Sequence, residues 1–211
     1  MTRRLSRRSM LAQGGLALLA GCTTSLLPSP PQAPTLYALD DAEAPARRSA
    51  PPAPPGAPAI LVATPRAAAG FDGRGIVYQR QSYALETYAY SQWVDTPAQM
   101  LAPLIVGALE QTGAFRAVLR APSTAAAELR LDTELIRLQQ DFMLSPSRVR
   151  LTLRAVLVET ATRRVVAWRE FDASVAATSE DAYGGVRAAN RAVQDLLAEL
   201  ATFTALASKP S

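Results

Sequence analysis

The sequence contains no histidine, and among its 211 residues there is a single cysteine. Without histidine there is no imidazole general base, no Ser/His or Cys/His nucleophile pair of the usual kind and no His-containing zinc site. One cysteine excludes both an intramolecular disulfide and a multi-cysteine metal centre. Acidic residues are missing from the first 22 positions, which carry four arginines, and the apolar run there, Leu16 to Ala20, is too short to cross a hydrocarbon layer of ~30 Å. These absences already turn the reading away from catalysis and from a membrane-spanning helix.

What is present at the N-terminus is an address. A basic start, a short apolar run and small residues before Cys22 follow the three-part layout of a secretory signal, so residues 1–21 are expected to be cleaved. Leu19-Ala20-Gly21-Cys22 resembles a bacterial lipobox. Its small residues admit the signal peptidase, and the Cys22 sulfur is the atom that would be acylated. Two or three acyl chains there would hold the protein stably on a bilayer, where one would not. Arg7 and Arg8, within Ser6-Arg7-Arg8-Ser9-Met10-Leu11, look like a twin-arginine export motif, with ordinary unfolded export as the alternative. By resemblance to bacterial sorting rules, Thr23 after the cysteine implies the outer membrane.

The formal charge of +4 has the same origin. Loss of residues 1–21 removes four arginines and no acids, leaving eighteen basic and eighteen acidic side chains. The mature chain is neutral, and the electrostatic premise for nucleic-acid binding disappears.

Ten of the sixteen prolines fall between Pro28 and Pro58. Proline removes backbone donors and favours polyproline II, so residues 22–34 are expected to be a lipidated tether and residues 45–58 a Pro-rich loop. A ligand for an SH3-type domain fits this composition less well than a spacer does. The patch Thr35-Leu36-Tyr37-Ala38-Leu39 between the two stretches reads as an opening edge strand, and the folded domain is placed at residues 35–206, with 207–211 as a tail.

Further along, the patterns predict strands at 59–64, 76–80, 83–90 and 115–120, and longer ones at 128–138, 148–159 and 165–176. The glycines of residues 70–75 lack a Walker lysine and read as a flexible turn. Thr96-Pro97-Ala98-Gln99 has the form of a capping box, followed by an apolar stripe of Leu101, Leu104, Ile105, Ala108 and Leu109 and a stop at Gly113. A second helix is expected from Glu180 to about Leu206, capped by Ser179. Short connections make the last three strands an antiparallel meander. The fold class is therefore α/β, a two-layer sandwich with a mixed or mainly antiparallel sheet and two main helices packed on it.

Two groups of residues merit a chemical reading. Asp132 and Glu134 lie at i and i+2 of one strand, a spacing glycosidases can use, but Arg130 on the same face and Arg148, Arg150 and Arg154 on the neighbouring strand explain them as cross-strand charge pairs. Among the aromatics, Trp168 is expected in the core. Tyr88, Tyr90 and Trp93, just ahead of the first helix, are the candidates for a partner interface, with ordinary strand packing as their alternative. No catalytic residue, metal ligand or cofactor site is expected.

The order of these pieces resembles a known family. The lipobox at Cys22, Leu36-Tyr37-Ala38-Leu39, Ile76-Val77-Tyr78-Gln79, Tyr88-Ala89-Tyr90-Ser91-Gln92-Trp93 followed by Pro97 and Leu101, Gly113-Ala114-Phe115 and Val165-Val166-Ala167-Trp168-Arg169-Glu170-Phe171 are similar to the ABC-type transport auxiliary lipoproteins over residues 35–205. The resemblance implies a non-catalytic outer-membrane lipoprotein facing the periplasm. Its implied partners are an ABC permease, its ATPase and a mammalian-cell-entry domain protein that carries lipids, and self-association is implied as well. A structural or assembly lipoprotein of another envelope complex is the second reading.

Overall fold

The computed structural model describes residues 32–40 and 51–209, and the fold is that of the unit beginning at Pro34. Cys22, Arg7, Arg8, Leu19, Ala20 and Gly21 lie outside the described residues, as does 41–50 in the first part of the Pro-rich loop. The elements run β1 (Thr35–Tyr37), β2 (Ala59–Val62), β3 (Arg66–Ala67), β4 (Gly75–Gln81), β5 (Ala84–Trp93), α1 (Pro97–Gln111), β6 (Ala117–Arg120), β7 (Leu129–Asp141), β8 (Arg148–Glu159), β9 (Val165–Ala176) and α2 (Ala182–Ala207).

β7 is the spine of a mixed sheet. One of its edges takes β8 antiparallel, and β9 continues the meander outward. Its other edge is shared end to end by three strands, all parallel to it: β2 beside Leu129–Leu131, β3 beside Glu134 and Leu135, and β4 beside Gln140 and Asp141. β6 lies outside β2, while β5 and then β1 lie outside β4, so the sheet divides into two wings beyond β7. Thr35–Tyr37 is indeed an edge strand, and it runs parallel to β5.

The inner face follows from residue alternation. Leu129, Leu131, Thr133 and Leu135 are buried in sequence, and then the phase changes, because a bulge between Leu135 and Arg137 inserts one residue and hands the inner face to Leu138 and Gln140. β8 contributes Val149, Leu151, Leu153, Ala155 and Leu157, and β9 contributes Phe171. Both helices join these side chains in one core: α1 through Leu101, Ile105 and Leu109, α2 through Val186, Ala189, Val193, Leu196, Leu197 and Leu200. Phe203 closes the far end of α2 edge-on to Phe171, with ring centroids 5.6 Å apart. The chain is thus a two-layer α/β structure with two helices on one face of a large mixed sheet.

Two expected caps are corrected. Thr96 does occupy the N-cap of α1, but its side chain makes no capping bond; the adjacent Asp95 carboxylate accepts the Thr96 N–H instead. α2 is capped by Asp181 rather than Ser179: the Asp181 Oδ1 accepts the Gly184 N–H at 2.7 Å, and Ser179 donates its hydroxyl to the same carboxylate. A carboxylate there meets both the free amides and the positive end of the helix dipole, which a hydroxyl does less well. Gly113 stops α1 as expected, with φ +63°.

Candidate functional site

The three aromatics expected at an interface part company. Trp93 ends β5 inside the core, 2% exposed, and is removed from any surface role. Tyr88 is half-buried and committed inward. Its hydroxyl donates to Gln140 Oε1 at 2.9 Å, the Gln140 amide donates to Ser147 Oγ at 2.9 Å, and the Ser147 N–H donates to Glu180 Oε1 at 2.9 Å. Burial pushes the Tyr88 hydroxyl up to about 12, so at neutral pH it stays a donor in this chain of bonds. The Ser147 bonds hold the Glu180 carboxyl below its ordinary range. Only Tyr90, 60% exposed, is open to a partner, and Leu36 on β1 and Val94 after β5 are exposed as well.

Trp168 also corrects the expectation. β9 is the outer strand of the meander, and Trp168 is 65% exposed on the side of the sheet away from the helices, in register with Val156 of β8 and, through it, Asp132 of β7. Polar pairs occupy much of the rest of this open face. Arg154 reaches Glu170 at 3.0 Å and Glu134 at 3.5 Å, Arg130 reaches Asp132 at 2.8 Å, and the Thr152 hydroxyl donates to Asp172 at 2.6 Å. Glu134 is therefore held across the strands by Arg154, as the cross-strand reading expected, whereas Asp132 is held by Arg130 of its own strand. Arg148 instead donates to Ser174, and Arg150 lies 3.8 Å from Asp141. Apart from the buried Asp141 and Thr152, these groups are exposed or half-exposed, so their pairs sit in high dielectric and are worth little singly.

A second aromatic group lies where β4 meets β7. Tyr78 stacks obliquely on Tyr88 with centroids 4.6 Å apart and meets Phe142 edge-on at 5.9 Å. The Arg80 guanidinium covers the Tyr78 ring at 5.0 Å and pairs with Glu86 at 2.7 Å, which holds the Glu86 carboxyl below its usual range. Sequence reasoning missed this group and the Gln140–Ser147 link. The available signal was polar Gln139-Gln140-Asp141 continuing a strand whose apolar residues had ended at Leu138.

One surface groove, about 670 Å³, runs between β9 and the end of α2 and is lined by Arg169, Ala198, Glu199, Thr202, Phe203 and Leu206. Its polar groups do not converge: Arg169 and Glu199 face each other at 3.6 Å. Among the described residues no group of three or more His, Cys, Asp or Glu side chains could hold a metal ion, and no helix is long and apolar enough to cross a membrane.

With this geometry in view, the chain can be set beside known proteins. Residues 37–201 match the family model described as the ABC-type transport auxiliary lipoprotein component. The structure is similar to the crystal structure of protein XCC0632 from Xanthomonas campestris, of the domain family DUF330, with 26% identity and a TM-score of 0.68 over 82% of this chain and 95% of that one. It also resembles a crystal structure described only as an uncharacterized protein, at 14% identity and a TM-score of 0.63, covering 82% of this chain and 99% of the other. A comparison with curated proteins finds no match.

Proposed function

Because the chain belongs to the ABC-type transport auxiliary lipoprotein family, we propose that it is a non-catalytic docking component of an intermembrane lipid transport system, held on the outer membrane by acyl chains on Cys22 and facing the periplasm. The carrying observation is the match over residues 37–201 directly behind the lipobox-like Leu19-Ala20-Gly21-Cys22. The side chains are consistent with binding rather than turnover: Glu134 and Glu170 of the open face are paired with Arg154, and the half-buried Tyr88 is spent on a structural link. In this reading the partner is a mammalian-cell-entry domain protein that carries lipid between an ABC permease with its ATPase and the outer membrane. Tyr90, with Leu36 and Val94 exposed near the β1 edge, is the surface assigned to that partner or to a second copy of this chain.

The test is co-purification from membranes with the cell-entry protein, compared between the natural chain and Tyr90→Asp. Capture of the carrier, reduced by the substitution, is the expected result. Capture instead of an envelope protein unrelated to lipid transport would favour an assembly lipoprotein of another machine. The neighbouring genes offer an independent check, since the reading expects a permease, an ATPase and a cell-entry protein beside this one.

A further inference from the structure

Two connections leave the sheet side by side at one end. β4 and β7 are parallel neighbours, with Gln79 in register with Asp141 and the Phe142 N–H donating to the Gln79 carbonyl at 2.9 Å. The turn of the β4–β5 hairpin, residues 81–85, and the β7–β8 connection, residues 142–147, therefore project in the same direction. Neither segment contains a charged side chain: one reads Gln-Ser-Tyr-Ala-Leu, the other Phe-Met-Leu-Ser-Pro-Ser. Apolar residues point outward at both. Tyr83, held in the turn at φ +68°, is fully exposed, Met143 is 51% exposed and Leu144 60%. Hairpin tips are ordinarily polar, and these two break that rule together.

The start of the domain says which surface they meet. β1 is parallel to β5, and β5 runs away from the turn at residues 82–83, so Thr35 stands at the end of β1 that faces the tips. Thr35 pairs with Ser91, seven residues beyond Ala84 on β5, which places it about 24 Å behind the tips at strand spacing. The thirteen residue steps from Cys22 to Thr35 reach at most about 45 Å when fully extended. A chain anchored at Cys22 can thus set both tips on the bilayer with length to spare.

We propose that the 81–85 and 142–147 tips dock into the leaflet that carries the Cys22 acyl chains, with Leu144 and Met143 entering the acyl boundary and Tyr83 lying at the headgroup level, where amphipathic rings are favoured. The surface recognised is a lipid bilayer. Two carboxylates at this end are ionised and committed to the fold, Glu180 accepting the Ser147 amide and Asp181 capping α2, so the docking is carried by the apolar tips and the tether's reach and not by charge. The docking rests on the anchor reading above, and it fixes the orientation of the domain, sheet strands upright with the β8–β9 turn at residues 160–164 away from the membrane.

The test uses the full chain carrying Leu144→Cys, purified in detergent with its anchor, labelled with a polarity-sensitive fluorophore and reconstituted into vesicles of phosphatidylethanolamine and phosphatidylglycerol. Thr162→Cys in the β8–β9 turn is the control, and Tyr83→Cys is a second probe at a site whose exposure makes the change harmless to the fold. The expected result is loss of emission with nitroxide-bearing lipids at positions 144 and 83 and none at 162. Acylated protein whose label at 144 is as open to aqueous iodide as that at 162 overturns the docking and leaves the anchor standing. A label shielded from both quenchers means a second protein copy covers the tip, and overturns it too. Unacylated Cys22, read by mass spectrometry of the N-terminal peptide, overturns the anchor and the docking together.

Discussion

Gly185, in the first turn of α2, shows how tightly the buried polar link is fitted. A Cβ built there would collide with the Gln140 amide oxygen, the atom that accepts the Tyr88 hydroxyl. Glycine is needed at this point for close approach rather than for backbone freedom. Gly185→Ala should lower stability by about 1–3 kcal/mol, the range for an overpacked interior, measured as a shift in urea midpoint with an unchanged slope. A variant as stable as the parent would show that Gln140 can swing aside. Thr133 presents the opposite case. Its hydroxyl is buried on the inner face of β7 and has no hydrogen-bond partner. Thr133→Val removes that desolvated group while keeping the branched shape a strand favours, and should raise stability by about 1 kcal/mol. Unfolding at a lower denaturant concentration than the parent would count against this.

At the scale of elements, the start of α2 and the edge of β2 carry an acid-sensitive set. The Gly184 amide and the Ser179 hydroxyl hold the Asp181 carboxyl below its ordinary value, the Ser147 bonds do so for Glu180, and the Ala59 amide does so for Glu128. In the unfolded chain these groups return to values near about 4 and take up protons first as the pH falls. Their contribution is therefore whole above about pH 5 and is lost as the pH drops through the unfolded and then the depressed folded values. The urea midpoint should stay level from neutral pH to about pH 5 and then fall, and the fall should shrink in an Asp181→Asn, Glu180→Gln variant, in which Asn still caps the helix. An unaltered acid limb would refute the assignment. The elements also differ in how far the sequence reveals them. β8 and β9 match their expected spans because strict alternation and a short turn are local signals, and α2 is betrayed by its 3.6-residue stripe. β3 was invisible: two residues, Arg66 and Ala67, become a strand only because β7 offers an edge there. The exposure of Trp168 was equally hidden, since alternation identifies a face but not which strand will lie outermost. The interface candidates were misjudged for a related reason. Tyr88, Tyr90 and Trp93 share one strand, and the pairing of β5 with β4 is irregular, so the three fall in different environments: half-buried, exposed and buried.

For the whole molecule, the proposed anchor at Cys22 and the fold should be separable. The residue expected to carry lipid precedes the matched region by fifteen positions, and among the described residues the buried core begins at Leu39, with Tyr37 packed against it. Cys22→Ser should leave the domain's thermal unfolding unchanged while moving the protein from the outer-membrane fraction to the soluble periplasm, with the outer membrane becoming more permeable. Unchanged fractionation would refute the anchor. The shared edge of β7 has one more consequence, in time rather than in space. Ala59, at the head of β2, is bonded to Glu128, 69 residues later, and at about 5–20 residues per second of synthesis roughly 3.5 to 14 seconds separate their appearance. During that interval β2 has at most β6, and β4 only β5, as a partner, and the edge that each gives to β7 is open to another chain. A route that exports the chain unfolded must shield Ile60–Val62 and Ile76–Tyr78 until β7 follows, whereas export after folding, as Arg7 and Arg8 suggest, lets the spine assemble first.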